Sequence, residues 1–195
     1  MIVLTGFEPF GNFRINPSWE AIKKLNEGKK IRIPVTFRDA IRWGERIAEM
    51  KPEVVIATGL NPSARGIVVE AIGINIMHSK IADNSGFKPS NLKIYEDGEN
   101  CYFTNLPYME IADHLNGMGI PARVSFHAGT YVCNTLYYSL LHNSKGKNPE
   151  GKVIFIHVPP SKETLEGNCE NCWDIEETRE GIKEIIKFIS RLSSP

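Results

Sequence analysis

Cys133 is the residue of this sequence with the clearest potential for covalent chemistry. It follows a Gly-Thr pair in AGTYVCN, residues 128–134, where a strand-like stretch gives way to a predicted helix. A cysteine in a first helical turn lies beside free backbone N–H groups and at the positive end of the helix dipole. Both favour the thiolate, which is the nucleophilic form. Cysteine is also often buried, so simple packing of Cys133 against a sheet is the alternative.

His157 and Glu70 are the residues that could activate such a nucleophile. His157 ends the apolar run VIFIH, and Val-Pro-Pro then stops the strand. An imidazole can serve a thiol as general base and acid, and a carboxylate on its second nitrogen fixes its orientation. Glu70 interrupts the apolar run GIVVEAIGINI, where a buried acid requires a partner such as histidine. His127 is a competing base, and an edge position facing solvent is the alternative for Glu70.

Short apolar runs alternate with amphipathic segments along the chain. The apolar runs predict strands at residues 2–4, 31–37, 54–58, 67–76, 124–126 and 153–156. The amphipathic segments predict helices at residues 17–25, 40–50, 109–115, 130–142 and 174–192. Residues 77–106 lack periodicity, so we expect an irregular excursion near a binding face. The alternation as a whole predicts an α/β sandwich with a mostly parallel sheet.

The candidate residues fall where predicted strands end. Thr5-Gly6-Phe7 follows the first strand, His157 closes a later one, and Gly129-Thr130 links a strand to the helix that carries Cys133. Open α/β sheets bind ligands beyond the carboxyl ends of their strands. We therefore expect these residues to meet at one edge of the sheet.

Composition narrows the class of protein. The 195 residues suit one domain, residues 1–195, whose core needs no metal or disulfide. Acidic and basic side chains balance at 23 each, which argues against nucleic acid and charged membrane surfaces as partners. No apolar stretch reaches the roughly 20 residues of a membrane span, and the start lacks the basic region of a signal peptide. We expect a cytoplasmic protein.

Four segments, in order, resemble the type I pyroglutamyl peptidases, also called pyrrolidone-carboxylate peptidases. The first two are TGFEPFGNFRINPSWEAIKKL at residues 5–25 and VEAIGINIMHSKIADNSG at residues 69–86. The other two are AGTYVCN at residues 128–134, similar to the nucleophile motif of that family, and FIHVP at residues 155–159, similar to its histidine motif. The resemblance covers essentially the whole chain.

The resemblance implies a cysteine peptidase that removes an N-terminal pyroglutamyl residue from peptides. It implies Cys133 as nucleophile, His157 as base and acid, and Glu70 as the residue that orients the histidine. The fold implied is a three-layer α/β/α sandwich with a twisted, mostly parallel central sheet, and no metal or organic cofactor is implied. Substrate-binding roles are implied for five residues: Phe7, Phe10, Asn16, Lys80 and Tyr131. A flat, uncharged lactam suits aromatic faces, although core packing is the alternative for the two phenylalanines.

The sequence departs from the family pattern around the expected substrate pocket. Leu60 stands where the family usually has glutamine, and Lys80 stands where it usually has arginine. Lysine keeps the charge but loses the bidentate geometry of arginine. Asn12, Ala71 and Ala82 replace a usual glycine, arginine and proline. The alternative function is therefore a divergent cysteine amidase or deblocking hydrolase with an altered small-amide pocket.

Cys169 and Cys172 form a C-x-x-C pair before the last predicted helix. One such pair supplies two of the four ligands that a structural zinc site needs, and the chain has no second pair. A metal- or redox-linked interaction protein is the hypothesis outside enzymes, and two surface thiols are the simplest interpretation. We expect a homo-oligomer, a dimer or tetramer, with this segment near a subunit contact and a disulfide possible across it.

Overall fold

The computed structural model describes residues 1–163, 169 and 172–192, which contain eight strands and five helices. The strands are β1 Ile2–Phe7, β2 Lys29–Ile33, β3 Val54–Leu60, β4 Ile67–Glu70, β5 Ile72–Ile74, β6 Cys101–Phe103, β7 Ala122–Ser125 and β8 Lys152–Val158. The helices are α1 Pro17–Ile22, α2 Phe37–Glu49, α3 Tyr108–Gly117, α4 Val132–Lys147 and α5 Ile175–Leu192.

Six of the described strands form the central sheet, in the order β2-β1-β3-β8-β4-β7. Strands β2, β1, β3 and β8 run parallel to one another. Strand β4 is antiparallel to β8, and β7 is parallel to β4. The sheet is therefore mixed but mostly parallel, with its change of direction beside the strand that carries His157.

Two apolar layers hold helices against opposite faces of the sheet. On one face α2 and α4 pack with side chains such as Val55, Tyr137 and Phe155. On the other face α1, α3 and α5 pack with side chains such as Ile56, Val69 and Ile156. Alternation along each strand explains the separation, since successive side chains point to opposite faces. The predicted α/β/α sandwich with a mostly parallel sheet is confirmed.

The predicted strand at residues 31–37 was too long. Strand β2 ends at Ile33, because Pro34 has no N–H group to continue a ladder. The Thr36 side chain then caps α2 by accepting a hydrogen bond from the backbone N–H of Asp39. Phe37 is therefore the first residue of a helix and not the last of a strand.

The predicted strand at residues 67–76 is divided at Ala71. Strand β4 belongs to the central sheet, whereas β5 pairs with β6 in a separate two-stranded sheet. Gly73 in β5 passes so close to α4 that a Cβ there would lie 3.1 Å from the Cα of Tyr138. The excursion of residues 77–106 is irregular as predicted, with one exception. Its residues 101–103 form the short strand β6.

Candidate active site

Cys133 is the second residue of α4 and is half-buried. Tyr131 occupies the N-cap position, and its side chain makes no capping hydrogen bond within the described structure. The first intrahelical bond runs from the N–H of Thr135 to the carbonyl of Tyr131, so the earlier N–H groups have no helical acceptor. The sulfur therefore lies at an uncapped helix N-terminus, which favours negative charge.

The turn before α4 is held to the excursion that follows β5. Gly129 has a φ of +79°, a left-handed conformation that glycine adopts without steric cost. Thr130 then pairs with His78 twice, because its carbonyl accepts from the His78 N–H at 3.0 Å and its hydroxyl donates to the His78 carbonyl at 2.8 Å. These contacts fix the direction in which the helix begins.

His157 and Glu70 meet because β4 runs antiparallel to β8. His157 lies directly opposite Val68, so Glu70 is its diagonal neighbour on the same face of the sheet. The imidazole Nδ1 lies 2.7 Å from Glu70 Oε1, and the two residues are 6% and 2% exposed. When Nδ1–H donates its hydrogen bond to the Glu70 carboxylate, the other ring nitrogen, Nε2, is available for a second partner.

Cys133 is the second group that acts on the imidazole, and its sulfur lies beside Gly59, the residue paired with His157 in β3. Burial alone lowers the pKa of His157, but hydrogen bonds to Cys133 and Glu70 and the attraction of their negative charges outweigh it. Together they raise the pKa from 6.5 to about 9. An imidazole in this environment carries its proton at neutral pH.

Gly59 provides the space in which the sulfur sits, and the sequence analysis did not identify it. It lies beside His157 in the neighbouring strand β3. A methyl group at position 59 would lie 2.8 Å from Cys133 Sγ and 2.9 Å from Phe155 Cζ. A glycine inside an otherwise fully buried strand is the signal that could have revealed this close approach.

All eight predicted site residues line one cavity of about 680 Å³. They are Phe7, Phe10, Asn16, Glu70, Lys80, Tyr131, Cys133 and His157. Phe10 and Tyr131 form its aromatic end, with ring centroids 6.2 Å apart. Phe37 supports Tyr131 from behind in an edge-to-face contact at 5.3 Å. The structure thus brings together residues that lie up to 150 positions apart, from 7 to 157.

Comparison with known proteins agrees with this arrangement. The family model described as pyroglutamyl peptidase matches residues 1–190. The chain belongs to the pyroglutamyl peptidase family. The pyrrolidone-carboxylate peptidase of Thermococcus kodakarensis is 38% identical over 195 residues, which are 96% of this chain and 95% of that protein. That of Thermococcus onnurineus is 44% identical over 165 residues, which are 81% of this chain and 82% of that protein.

Solved structures of the family have the same fold. Pyroglutamyl peptidase I of Bacillus amyloliquefaciens superposes with a TM-score of 0.88 at 32% identity, covering 94% of this chain and 93% of that one. A mutant pyrrolidone carboxyl peptidase of Pyrococcus furiosus superposes with a TM-score of 0.90 at 32% identity, covering 99% of each chain. The prediction of a pyroglutamyl-peptidase-like cysteine hydrolase is confirmed by these similarities.

Asn16 organises the first loop of this family member. Its Oδ1 accepts from the backbone N–H and hydroxyl of Ser18, and its Nδ2 donates to the carbonyl of Glu8 at 3.0 Å. The hydroxyl of Ser18 in turn accepts from the N–H of Phe7. Asn16 is therefore at once the N-cap of α1 and the residue that shapes the loop between Phe7 and Phe10.

Tyr131 fastens the excursion over the cavity. Its hydroxyl donates to the carbonyl of Ala82 at 3.1 Å. Burial, followed by the charges of Asp83 and Cys133, raises the pKa of Tyr131 to about 12, so it remains a donor. Burial also acts to raise the pKa of Asp83, but hydrogen bonds from Ser85 and from the N–H groups of Phe37 and neighbouring residues hold it below its usual value. Asp83 therefore stays ionised and anchors this segment to the start of α2.

Asn134 is a second residue whose role the sequence analysis did not identify. It is fully buried one residue after Cys133, and its amide pairs with both backbone groups of Ile74 and with the carbonyl of Ile76. Its Oδ1 lies 3.0 Å from the N–H of Ile74. Asparagine within a helix is a signal of such tertiary hydrogen bonds, because it has little intrinsic preference for that position.

The remaining histidines differ in their relation to the cavity. His127, the competing base, is exposed at the cavity wall, and its Nδ1 accepts from the N–H of Gly129 at 3.2 Å. His78 also lines the cavity, where its backbone pairs with Thr130. His114 and His142 lie outside the cavity, between α3 and α5 and against Tyr95 respectively.

The departures from the family pattern are spread over the site. Leu60 is buried in the cavity wall, and Lys80 is exposed there. Ala71 is fully buried at the junction of β4 and β5, where its N–H donates to the carbonyl of Ser125. Asn12 and Ala82 are exposed. The wall therefore differs from the family pattern at two positions, Leu60 and Lys80.

Cys169 and Cys172 form a disulfide with each other. The expectation of a disulfide across a subunit contact is therefore corrected, because a bond within the C-x-x-C pair consumes both thiols. The same pairing leaves no thiolate there for zinc. In the described ranges, no three His, Cys, Asp or Glu side chains are placed to share a metal ion. Nor does any described helix have the length and apolar character needed to cross a bilayer.

Proposed function

We propose that this protein is a cysteine omega-peptidase that removes an N-terminal pyroglutamyl residue from peptides. The observation that carries the proposal is the convergence of Cys133, His157 and Glu70 at the wall of one aromatic-lined cavity, where His157 hydrogen bonds to buried Glu70 and the Cys133 sulfur lies beside the strand partner of His157. In this proposal Cys133 is the nucleophile, His157 the acid and base, and Glu70 the residue that orients the ring. Membership of the pyroglutamyl peptidase family supports it.

The first half of the reaction forms a thioester. The Cys133 thiolate attacks the carbonyl carbon of the pyroglutamyl residue, forming a C–S bond while the C=O electron pair moves to oxygen. The N–H groups at the start of α4 face that developing charge, and their lack of a cap leaves them free to stabilise it. The His157 imidazolium then donates its proton to the leaving nitrogen, and the C–N bond breaks.

The second half of the reaction returns the enzyme to its starting state. His157, now neutral, takes a proton from a water molecule as that water attacks the thioester carbonyl. Collapse of this intermediate breaks the C–S bond and releases pyroglutamate. Glu70 keeps Nδ1 protonated in both halves, so Nε2 alone exchanges protons with the reacting groups.

The cavity has features that favour an uncharged lactam over a free amino terminus. Its aromatic end contains Phe10 and Tyr131, with the largely buried Phe7 ring beneath. The carboxylate of Glu70 is already paired with His157, so the part of the wall that the structure describes offers no free acid to bind an ammonium group. Lys80 adds a positive charge at the opening, which disfavours an ammonium further.

A comparison of fluorogenic amides tests the proposal. The pyroglutamyl amide should be hydrolysed, whereas the prolyl and alanyl amides, which carry a protonated amine, should react at least about 100-fold more slowly. Comparable hydrolysis of the prolyl amide would instead favour a deblocking amidase with an altered pocket, of which Leu60 would be the first residue to examine. Absence of hydrolysis of all three would refute both.

A further inference from the structure

Arg123 and the candidate catalytic histidine, His157, belong to one row of paired residues that crosses the sheet from strand to strand. In β7, Arg123 pairs with Val68 of β4, and Val68 pairs with His157 of β8. Paired residues of neighbouring strands point to the same face, so Arg123 and His157 share the face on which α4 lies. The side chain of Arg123 lines the cavity and is exposed.

The opposite end of this row is aromatic. His157 pairs with Gly59 of β3, and Thr5 of β1 pairs with Ala57, which places Phe7 beside Gly59. Adjacent strands are about 4.8 Å apart, so Phe7 and Arg123 each lie roughly 10 Å from His157, on opposite sides of it. The row thus runs from an aromatic end through the reacting groups to an arginine.

This order fixes the direction of a bound peptide. If the aromatic end takes the lactam and Cys133 attacks its carbonyl, the leaving part of the peptide extends over β4 and β7. Successive residues of an extended peptide lie about 3.5 Å apart, so the first or second residue after the scissile bond reaches the surroundings of Arg123.

Arg123 is available for a ligand at that point. Its guanidinium has no ion pair or hydrogen bond with any described residue. Its neighbours in the wall are already engaged, because the Ser125 hydroxyl donates to the carbonyl of His127 and His127 Nδ1 accepts from Gly129. Lys80 is the other permanent cation in the cavity wall. It is two residues from Ala82, whose carbonyl accepts a hydrogen bond from Tyr131, so we place Lys80 at the aromatic end.

The charge of the cavity points to the chemistry of the ligand. Among the described residues that line the cavity, Lys80 and Arg123 are the permanent cations, and Glu70, the one carboxylate, is buried and paired. An arginine fork matches a carboxylate with two parallel hydrogen bonds. A positive wall without a free acid therefore suits a leaving group that carries negative charge.

We propose that Arg123 is a specificity-determining residue that binds a carboxylate within the first two residues after the pyroglutamyl group. The preferred substrates are then pyroglutamyl dipeptides, through their free α-carboxylate, and longer peptides with an acidic side chain at that position. This inference rests on the proposed function, because it takes the lactam to lie at the aromatic end.

The test compares leaving groups that differ in charge alone. The substrates are pyroglutamyl-alanine against pyroglutamyl-alanine amide, for the α-carboxylate, and pyroglutamyl-aspartate amide against pyroglutamyl-asparagine amide, for the side chain. The ratio of kcat/KM within each pair is measured for the wild type, Arg123→Gln, Arg123→Lys and Arg191→Gln. Arg191 in α5 is the matched control, since it does not line the cavity.

The wild type should prefer the charged member of at least one pair by about fivefold to tenfold, mainly through KM. Arg123→Gln should abolish that preference, Arg123→Lys should restore part of it, and Arg191→Gln should leave it unchanged. Added salt should weaken the preference, since the site is exposed. The pair that shows the preference identifies which carboxylate is bound.

Equal rates within both wild-type pairs, or a preference that persists in Arg123→Gln, would overturn the role of Arg123. The proposed function would survive either result, because the neutral amides would still be hydrolysed. Failure of the wild type to hydrolyse any of the four substrates would overturn the proposed function and, with it, this inference.

Discussion

At the scale of the residue, His157 is the group on which the proposed chemistry depends. It is 6% exposed, and its imidazole joins a half-buried sulfur to a buried carboxylate. Burying a charge costs free energy unless it is paired, and here Glu70 is paired with His157 through its Oε1. This explains why an acid stands inside the apolar strand β4, which the sequence analysis had noted as unusual.

Substitution at His157, Glu70 and His127 separates their proposed roles. His157→Ala should lower kcat/KM for a pyroglutamyl amide by about 1,000-fold or more, since it removes both base and acid. Glu70→Gln should cost about 100-fold, because it disturbs orientation and leaves the ring in place. His127→Ala is the control and should keep most of the activity. A larger loss of activity in His127→Ala than in His157→Ala would show that His127, and not His157, is the base.

The pH dependence of activity should report the raised pKa of His157. The pKa rises from 6.5 to about 9 on folding, so the stabilisation of the imidazolium is complete below about pH 6.5 and is lost as pH rises through about 9. The alkaline limb of kcat/KM should accordingly lie near pH 9. In Glu70→Gln the limb should move to lower pH, since one of the negative neighbours is gone. A limb near pH 6.5 in both proteins would contradict this account.

At the scale of the element, the site depends on how closely α4 approaches β3. The sulfur of Cys133 lies where the side chain of residue 59 would be, so only glycine leaves room for it. The approach is fixed on the other side of the helix by Asn134, which holds the backbone of residues 74 and 76. Gly59 and Asn134 thus position the proposed nucleophile, Cys133, against His157.

Gly59→Ala tests this arrangement. The new methyl group would displace Cys133 Sγ or the Phe155 ring, and a misplacement of about 1 Å costs roughly 100-fold in rate. Gly146→Ala in α4 is the matched control, because a Cβ there meets open space. Assays of activity and thermal unfolding should show a large loss of kcat in Gly59→Ala alone. Full activity in Gly59→Ala would show that the sulfur is not confined as described.

The sequence predicted most of the elements and a set of candidate site residues that line one cavity, but not the reversal of β4. Apolar periodicity identifies a buried strand at residues 67–70 but is the same for either direction of that strand. The reversal follows from the connection between β3 and β4, residues 61–66, which is too short for the crossover that a parallel strand requires. Gly59 escaped notice because its role depends on a contact distant in sequence, since its neighbour Cys133 is 74 positions away.

At the scale of the whole molecule, Trp173, which directly follows the C-x-x-C pair, lies beside the loop that follows His157. Ser161 forms an isolated bridge with Trp173, and the Trp173 N–H donates to the carbonyl of Pro160 at 3.0 Å. These backbone contacts do not involve the cysteines, so the loop retains its own support. The disulfide closes only a short loop, which limits its effect to about 2 kcal/mol or less.

Replacing Cys169 and Cys172 by serine should therefore leave activity unchanged at moderate temperature and lower the unfolding temperature. Cys101→Ser is the matched control, since Cys101 is a free and exposed thiol. Light scattering should show a homo-oligomer, a dimer or tetramer, for all three proteins. Loss of activity in the double variant with its oligomeric state unchanged would favour a redox or metal role. A monomer at every concentration of the wild type would contradict the expected assembly.

The central claim is that Cys133 carries the acyl group. The measurement that tests it most directly is intact-protein and peptide mass spectrometry after rapid acid quenching of the enzyme with a pyroglutamyl amide. The account predicts a mass increase of one pyroglutamyl group, located on the peptide that contains Cys133 and absent in Cys133→Ala, which should also lack turnover. Turnover by Cys133→Ala at a rate near that of the wild type, or an adduct on another residue, would contradict it.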